Sequence, residues 1–158
     1  MITDLFKDRI YFLFSILIIL TGCGVWDNFI TYFNLYYNAD ELYTKIEKQI
    51  TDQKKDLFSV EPSTIPPAAN ADVQKLIEKC SAILQFHSNS SYVDEALLML
   101  GKAFYYQKNY MKSQQKFKEL IASDPEGEYA LESKLWIGKC DMRLRNYSDA
   151  LATLTEVR

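Results

Sequence analysis

Cys23 is the residue best placed to do chemistry in this chain. It follows Leu20-Thr21-Gly22, which close an apolar run of eleven residues from Ile10 to Leu20. Lys7 and Arg9 put positive charge ahead of that run, and Asp4 and Asp8 weaken it slightly. A helix that spans a bilayer needs about 20 apolar residues, so a run this short reads as a cleavable signal peptide. Small residues at Thr21 and Gly22 would let a peptidase reach the backbone, and Cys23 offers the only nucleophilic thiol near the cut. An uncleaved signal anchor, or a cysteine there by coincidence, is the alternative.

Over Leu20-Thr21-Gly22-Cys23 and the preceding run, the chain resembles bacterial lipoproteins. The resemblance implies a diacylglyceryl thioether on Cys23 and loss of residues 1–22. Each buried methylene of an acyl chain contributes about 0.8 kcal/mol, and more than one chain gives stable anchoring. Gly24 follows where an aspartate would, by the same resemblance, cause inner-membrane retention. The expectation is an outer-membrane lipoprotein on the periplasmic face, tethered without spanning.

Other reactive constellations are missing from the sequence. His87 is the sole histidine, in a turn between helices, and no G-x-S-x-G, H-E-x-x-H, P-loop or G-x-G-x-x-G occurs. Asp94-Glu95 opens a helix, where carboxylates complement the helix dipole. Cys80 and Cys140 lie in no metal-ligand spacing and fall on apolar helix faces, so two buried free thiols are expected in preference to a disulfide. The sequence thus points to no enzyme, no cofactor and no metal. A net charge of −3, with basic and acidic residues mixed, gives no footprint for nucleic acid.

The remaining elements are helical. Trp26 to Ile50 predicts one long helix, with Phe29, Tyr32, Phe33, Tyr36, Tyr43, Ile46 and Ile50 as its apolar stripe. Six aromatics between residues 26 and 37 suit either a core or the headgroup level of a membrane. Residues 23–55 are therefore assigned to a lipid-proximal aromatic helix. Residues 56–70, with three prolines, form a linker. An amphipathic helix from Ala71 to Phe86 carries Val73, Leu76, Ile77, Cys80, Ile83 and Leu84 on one face.

Residues 71–158 repeat themselves. Gly101-Lys102 recurs as Gly138-Lys139, Tyr92 as Tyr129, Asn109-Tyr110 as Asn146-Tyr147 and Phe117 as Leu154, all with a period of 37 residues. Two helices per unit at such a period, without a strand pattern, predict an all-α fold, an α-solenoid of helical hairpins. Glycine within a helix costs about 0.5 to 1 kcal/mol relative to alanine, so Gly101 and Gly138 imply helices in close contact. Ser113 and Ala150 are expected as small partners across that contact, with Phe117 and Leu154 filling the space between successive hairpins.

These residues resemble the tetratricopeptide repeat (TPR), a helix-turn-helix unit of about 34 residues. Leu97, Leu100, Gly101, Phe104, Tyr110, Ser113, Phe117, Leu120 and Pro125 fit the first unit; Ile137, Gly138, Tyr147, Ala150, Leu154 and Val157 fit a degenerate second one. The helix from Ala71 would be the second helix of an earlier unit. By length and by the step from Phe86 into the next hairpin, the chain looks like the BamD-like outer-membrane lipoproteins. Residues 31–39 also look like a stretch of repeat lipoproteins of gliding and type IX secretion systems. Val157-Arg158 falls within a helix with no polar capping helix after it, which suggests a fragment of a longer chain.

The resemblance places a partner-binding groove on the first helix of each repeat: Leu98, Lys102, Tyr105 and Tyr106, then Leu135, Lys139, Met142 and Arg143. Lys102, Lys139 and Arg143 would give it a positive lane suited to an extended peptide or a carboxylate-bearing partner. Two functions follow as expectations. The first is a lipid-anchored scaffold for protein–protein interaction in a cell-envelope assembly or secretion complex, its partners β-barrel assembly or secretion components. The second is a coordinator or carrier for peptidoglycan synthesis.

Overall fold

The computed structural model describes residues 28–29, 31–53 and 65–157. The signal segment, Cys23 and most of the proline-rich linker lie outside these. Among the described residues there are six α-helices and no strand: α1 (Tyr37–Thr51), α2 (Asn70–Phe86), α3 (Val93–Tyr106), α4 (Tyr110–Ser123), α5 (Ala130–Leu144) and α6 (Tyr147–Glu156). Each packs on the next in chain order, so the hairpins α1–α2, α3–α4 and α5–α6 stack in sequence. The all-α hairpin array expected from the 37-residue period is the fold observed. No helix among the described residues is long and apolar enough to cross a membrane.

The first helix departs from a straight amphipathic reading. Tyr32–Tyr36 form a π-helical turn that runs directly into α1. A π turn carries one extra residue, which rotates the face before it by about 100° relative to an uninterrupted α-helix. That rotation explains why the stripe holds at Ile46 and Ile50, which are buried, and fails at Phe29, which is 55 % exposed. The second helix begins one residue earlier than its apolar periodicity indicates, because a 3-10 turn at Pro67–Ala69 with Pro67 at its first position leads into Asn70.

The ends of the paired helices repeat as faithfully as their faces. Lys108 and Arg145, 37 residues apart, both adopt left-handed backbone at φ 61° and 65°. The next residue in each case donates its backbone N–H five residues back, Asn109 to the Phe104 carbonyl and Asn146 to the Asp141 carbonyl, both at 2.9 Å. This is the Schellman stop, which satisfies carbonyls that the helix leaves open. Asn109 then caps α4 by accepting from the Lys112 N–H at 3.3 Å. The repeated Asn-Tyr pair in the sequence therefore marks a turn that reverses the chain twice in the same way.

Close packing inside each hairpin is what the two glycines provide. A Cβ on Gly101 would come within 2.7 Å of the Phe117 ring, and one on Gly138 within 2.6 Å of Leu154 Cδ2. Phe117 thus rests on the glycine of its own hairpin while its other side stacks on Trp136 of the next, with ring centroids 6.0 Å apart. Ser113 makes its contact onward as well, accepting from the Cys140 thiol at 3.3 Å. Cys80 and Cys140 are both buried and unpaired with each other. Burial pushes their thiols up to about 12 and about 11, which keeps them protonated and unreactive at neutral pH.

The two glycines should nonetheless tolerate a methyl group differently. Phe117 is fully buried and has no room to withdraw, whereas Leu154 is only partly buried and can turn outward. Overpacking costs about 1–3 kcal/mol and the gain in helix propensity returns about 1, so Gly101→Ala is expected to lose up to about 2 kcal/mol and Gly138→Ala to be near neutral. Urea denaturation followed by far-UV circular dichroism measures both.

Candidate functional site

The first helices of the three hairpins, α1, α3 and α5, lie side by side and share a layer of polar and aromatic side chains. Lys102 on α3 is its centre. Its ammonium donates to the Tyr43 hydroxyl on α1 at 2.7 Å and forms an ion pair with Glu132 on α5 at 2.6 Å. It also lies 5.2 Å from the centre of the Tyr43 ring and 5.4 Å from that of Trp136. One side chain therefore ties three successive hairpins together. A second tie runs from Tyr106 on α3, whose hydroxyl donates to the Glu47 carboxylate on α1.

The electrostatics follow from this placement. Burial alone would lower the Lys102 pKa, but its hydrogen bonds to Glu132 and Tyr43 outweigh burial and hold it above the usual lysine value. Burial would raise Glu132, yet Lys102 beside it keeps the carboxyl below the usual range. Burial together with the Glu47 carboxylate pushes the Tyr106 hydroxyl far up, so it remains a donor.

Around this centre sits an aromatic cluster. Trp136 on α5 meets Tyr105 edge-on at 5.1 Å and Tyr106 at 6.2 Å, and Tyr105 in turn meets Tyr110 at 5.2 Å. The indole N–H of Trp136 donates to Glu132 at 3.2 Å. On the ring face Lys139 places its ammonium 3.9 Å from the centroid, a cation–π contact. Arg143 Nε donates to the Tyr105 hydroxyl at 3.4 Å.

The structure divides the eight residues of the expected groove into two sets. Leu98, Lys102 and Tyr105 are buried, at 8, 7 and 9 % exposure, with Leu98 in the core that joins α3–α4 to α5. Tyr106, Lys139 and Arg143 are half-buried, and Leu135 and Met142 are exposed at 36 and 50 %. The face is thus filled by the protein's own side chains at its α1–α3 end and open on α5. Glu47, Glu132 and Trp136 of this layer are absent from the sequence reading, and Tyr43 stands there only in the apolar stripe of the first helix. Trp136 falls 37 residues after Met99, so the repeat comparison gave no aromatic signal there. Glu132 repeats Glu95 at the 37-residue period, but a carboxylate in the first turn of a helix marks no tertiary contact, and Glu47 has no counterpart in the repeat.

Among the described residues no group of His, Cys, Asp or Glu side chains could hold a metal ion. The arrangement offers surfaces for recognition: aromatic edges, apolar stems and fixed charges on a rigid array. Stacked hairpins of this type define the class of helical repeat scaffolds, whose extended faces bind other proteins. Within that class, residues 95–127 match the tetratricopeptide repeat family model, which spans most of α3, all of α4 and part of the turn that follows. The match supports a tetratricopeptide repeat protein in which α3–α4 is a repeat. No curated protein matches the chain.

Proposed function

We propose that this protein is a lipid-anchored, non-catalytic scaffold that holds other proteins of a bacterial cell-envelope assembly or secretion complex, with outer-membrane protein assembly favoured. It would sit on the periplasmic face of the outer membrane through a lipid on Cys23. The anchor is supported by Leu20-Thr21-Gly22-Cys23 after a short apolar run. The observation that carries the scaffold role is the open α5 end of the first-helix face, where Leu135, Lys139 and Met142 meet solvent beside a preformed aromatic cluster. Pre-arranged side chains lower the ordering cost of binding.

In-cell photocrosslinking tests the proposal. Tyr105 is buried and so unsuited to carry the label, whereas Met142 is half-exposed on the same face. A photoreactive residue at Met142 is expected to capture a β-barrel or secretion component of the envelope. Crosslinks confined to cell-wall enzymes or glycan would instead assign the protein to peptidoglycan synthesis.

A further inference from the structure

The chain enters the array at one edge, and that edge is built without charge. Asn28 is pinned there, its side-chain carbonyl accepting from the Ser91 N–H at 2.9 Å in the turn between α2 and α3. Tyr36 stacks on Tyr92 with ring centroids 4.3 Å apart, and the π turn Tyr32–Tyr36 packs on α2. The start of the first helix and the turn after Phe86 therefore form one surface. Residues 28–39 and 80–93, which build it, contain no Asp, Glu, Lys or Arg, although 25 % of the chain is charged. Two large apolar rings nevertheless meet solvent here, Phe29 at 55 % and Phe86 at 68 % exposure.

The next turn at this end of the array differs. The end of α4 meets the start of α3 where the Ser123 hydroxyl donates to Asp94 at 3.4 Å, and the α4–α5 turn beyond it exposes Asp124, Glu126 and Glu128. Charge is costless in water and costly beside lipid, and aromatic rings favour the headgroup level. A turn stripped of charge that still exposes two rings fits the second surrounding. Chain continuity says which surface is at hand. Cys23 lies five residues before Asn28, and five extended residues span at most about 18 Å. The four residues between them leave no room for a further hairpin, so a lipid on Cys23 brings this edge close to the headgroups.

We infer that the edge formed by Phe29, Phe86 and the α2–α3 turn seats on the bilayer surface that carries the Cys23 lipid, with both rings at the headgroup level. The inference rests on the proposed lipid anchor. Seating of this kind uses apolar area and needs no anionic lipid. It adds a second attachment to the acyl chains and turns a loose tether into a fixed pose. With α1–α2 next to the membrane and the acidic α4–α5 turn held off it, the open α5 end is left in the aqueous phase for protein partners.

The test uses the chain purified from a bacterial cell envelope and reconstituted into phosphatidylcholine vesicles that hold no other protein. Its intact mass reports the lipid, which blocks the Cys23 thiol. Cys80 and Cys140 are buried with their thiols held protonated, so an environment-sensitive thiol dye reacts at one introduced cysteine. Ser88→Cys puts the dye on the exposed turn beside Phe86, and Met111→Cys puts it at the start of α4, the opposite end of the hairpins. At position 88 the dye is expected to be quenched by headgroup-nitroxide lipids and to show several-fold less quenching by aqueous iodide than at position 111. Phe29→Ser combined with Phe86→Ser, both at exposed sites, should abolish that difference, and phosphatidylglycerol added to the vesicles should leave it unchanged. Equal quenching at the two positions in a chain that bears the lipid would overturn the seated edge and leave the anchor standing. Shielding of position 88 in cells but not in the vesicles would also overturn it and give the edge to a protein partner. An intact mass without the lipid would remove the anchor and the seated edge together.

Discussion

Phe117→Ala is expected to cost about 3–5 kcal/mol, the largest effect of any single truncation in this protein. Phe117 is fully buried and is shared by two hairpins, resting on Gly101 in its own and stacked on Trp136 in the next. Removing its ring leaves a cavity that neither side can close. Gly101 has no side chain to move inward, and Trp136 is fixed by its hydrogen bond to Glu132 and by the edge contacts of Tyr105 and Tyr106. Leu154→Ala, the truncation at the equivalent position one repeat later, removes fewer atoms from a partly exposed site and should cost about 1–2 kcal/mol. Urea midpoints for the two variants decide the matter. Similar losses would mean that Phe117 does not join the hairpins in the way its contacts indicate.

That asymmetry between equivalent positions shows which parts of the molecule a sequence can disclose. Hairpin geometry was legible because it depends on residue type at fixed spacing. Gly101 and Gly138 announce a close approach, Asn109-Tyr110 and Asn146-Tyr147 announce a turn, and Phe117 and Leu154 announce a filler. The polar layer across α1, α3 and α5 was not legible. Lys102 finds Tyr43 across 59 residues and Glu132 on the following hairpin, and neither separation belongs to the repeat. Reading Lys102, Lys139 and Arg143 as one positive lane followed from their shared position in the repeat. Whether a lysine is matched or open depends on what its neighbouring hairpin places opposite, and the pattern within one unit does not contain that information. The π turn at Tyr32–Tyr36 was hidden for a related reason, since a single extra residue shifts a helix face without changing composition.

Lys102→Met should test the layer directly, with an expected loss of about 1–3 kcal/mol near neutral pH. A fully buried pair broken on one side costs about 3–5 kcal/mol, and the lower figure reflects that the Glu132 side chain is 39 % exposed and can regain water. The methionine keeps the apolar stem against Tyr43 and Trp136, so the loss reports the charge and its hydrogen bonds. Glu132→Gln should cost at least as much, because it leaves the buried partner charged and short of its anion. The pH dependence distinguishes this account from a packing defect. Glu132 has its folded pKa lowered, so its contribution is present above the unfolded value of about 4.5 and is lost as pH falls through the folded value. Lys102 has its folded pKa raised, so its contribution is complete below about 10.5 and is lost as pH rises through the folded value. Both limbs belong to one ion pair and should flatten together in Lys102→Met, which denaturation midpoints on either side of neutrality would show. A variant that is uniformly weaker, with both limbs retained, would mean that the pair is incidental and that three hairpins are held in register by their apolar contacts alone.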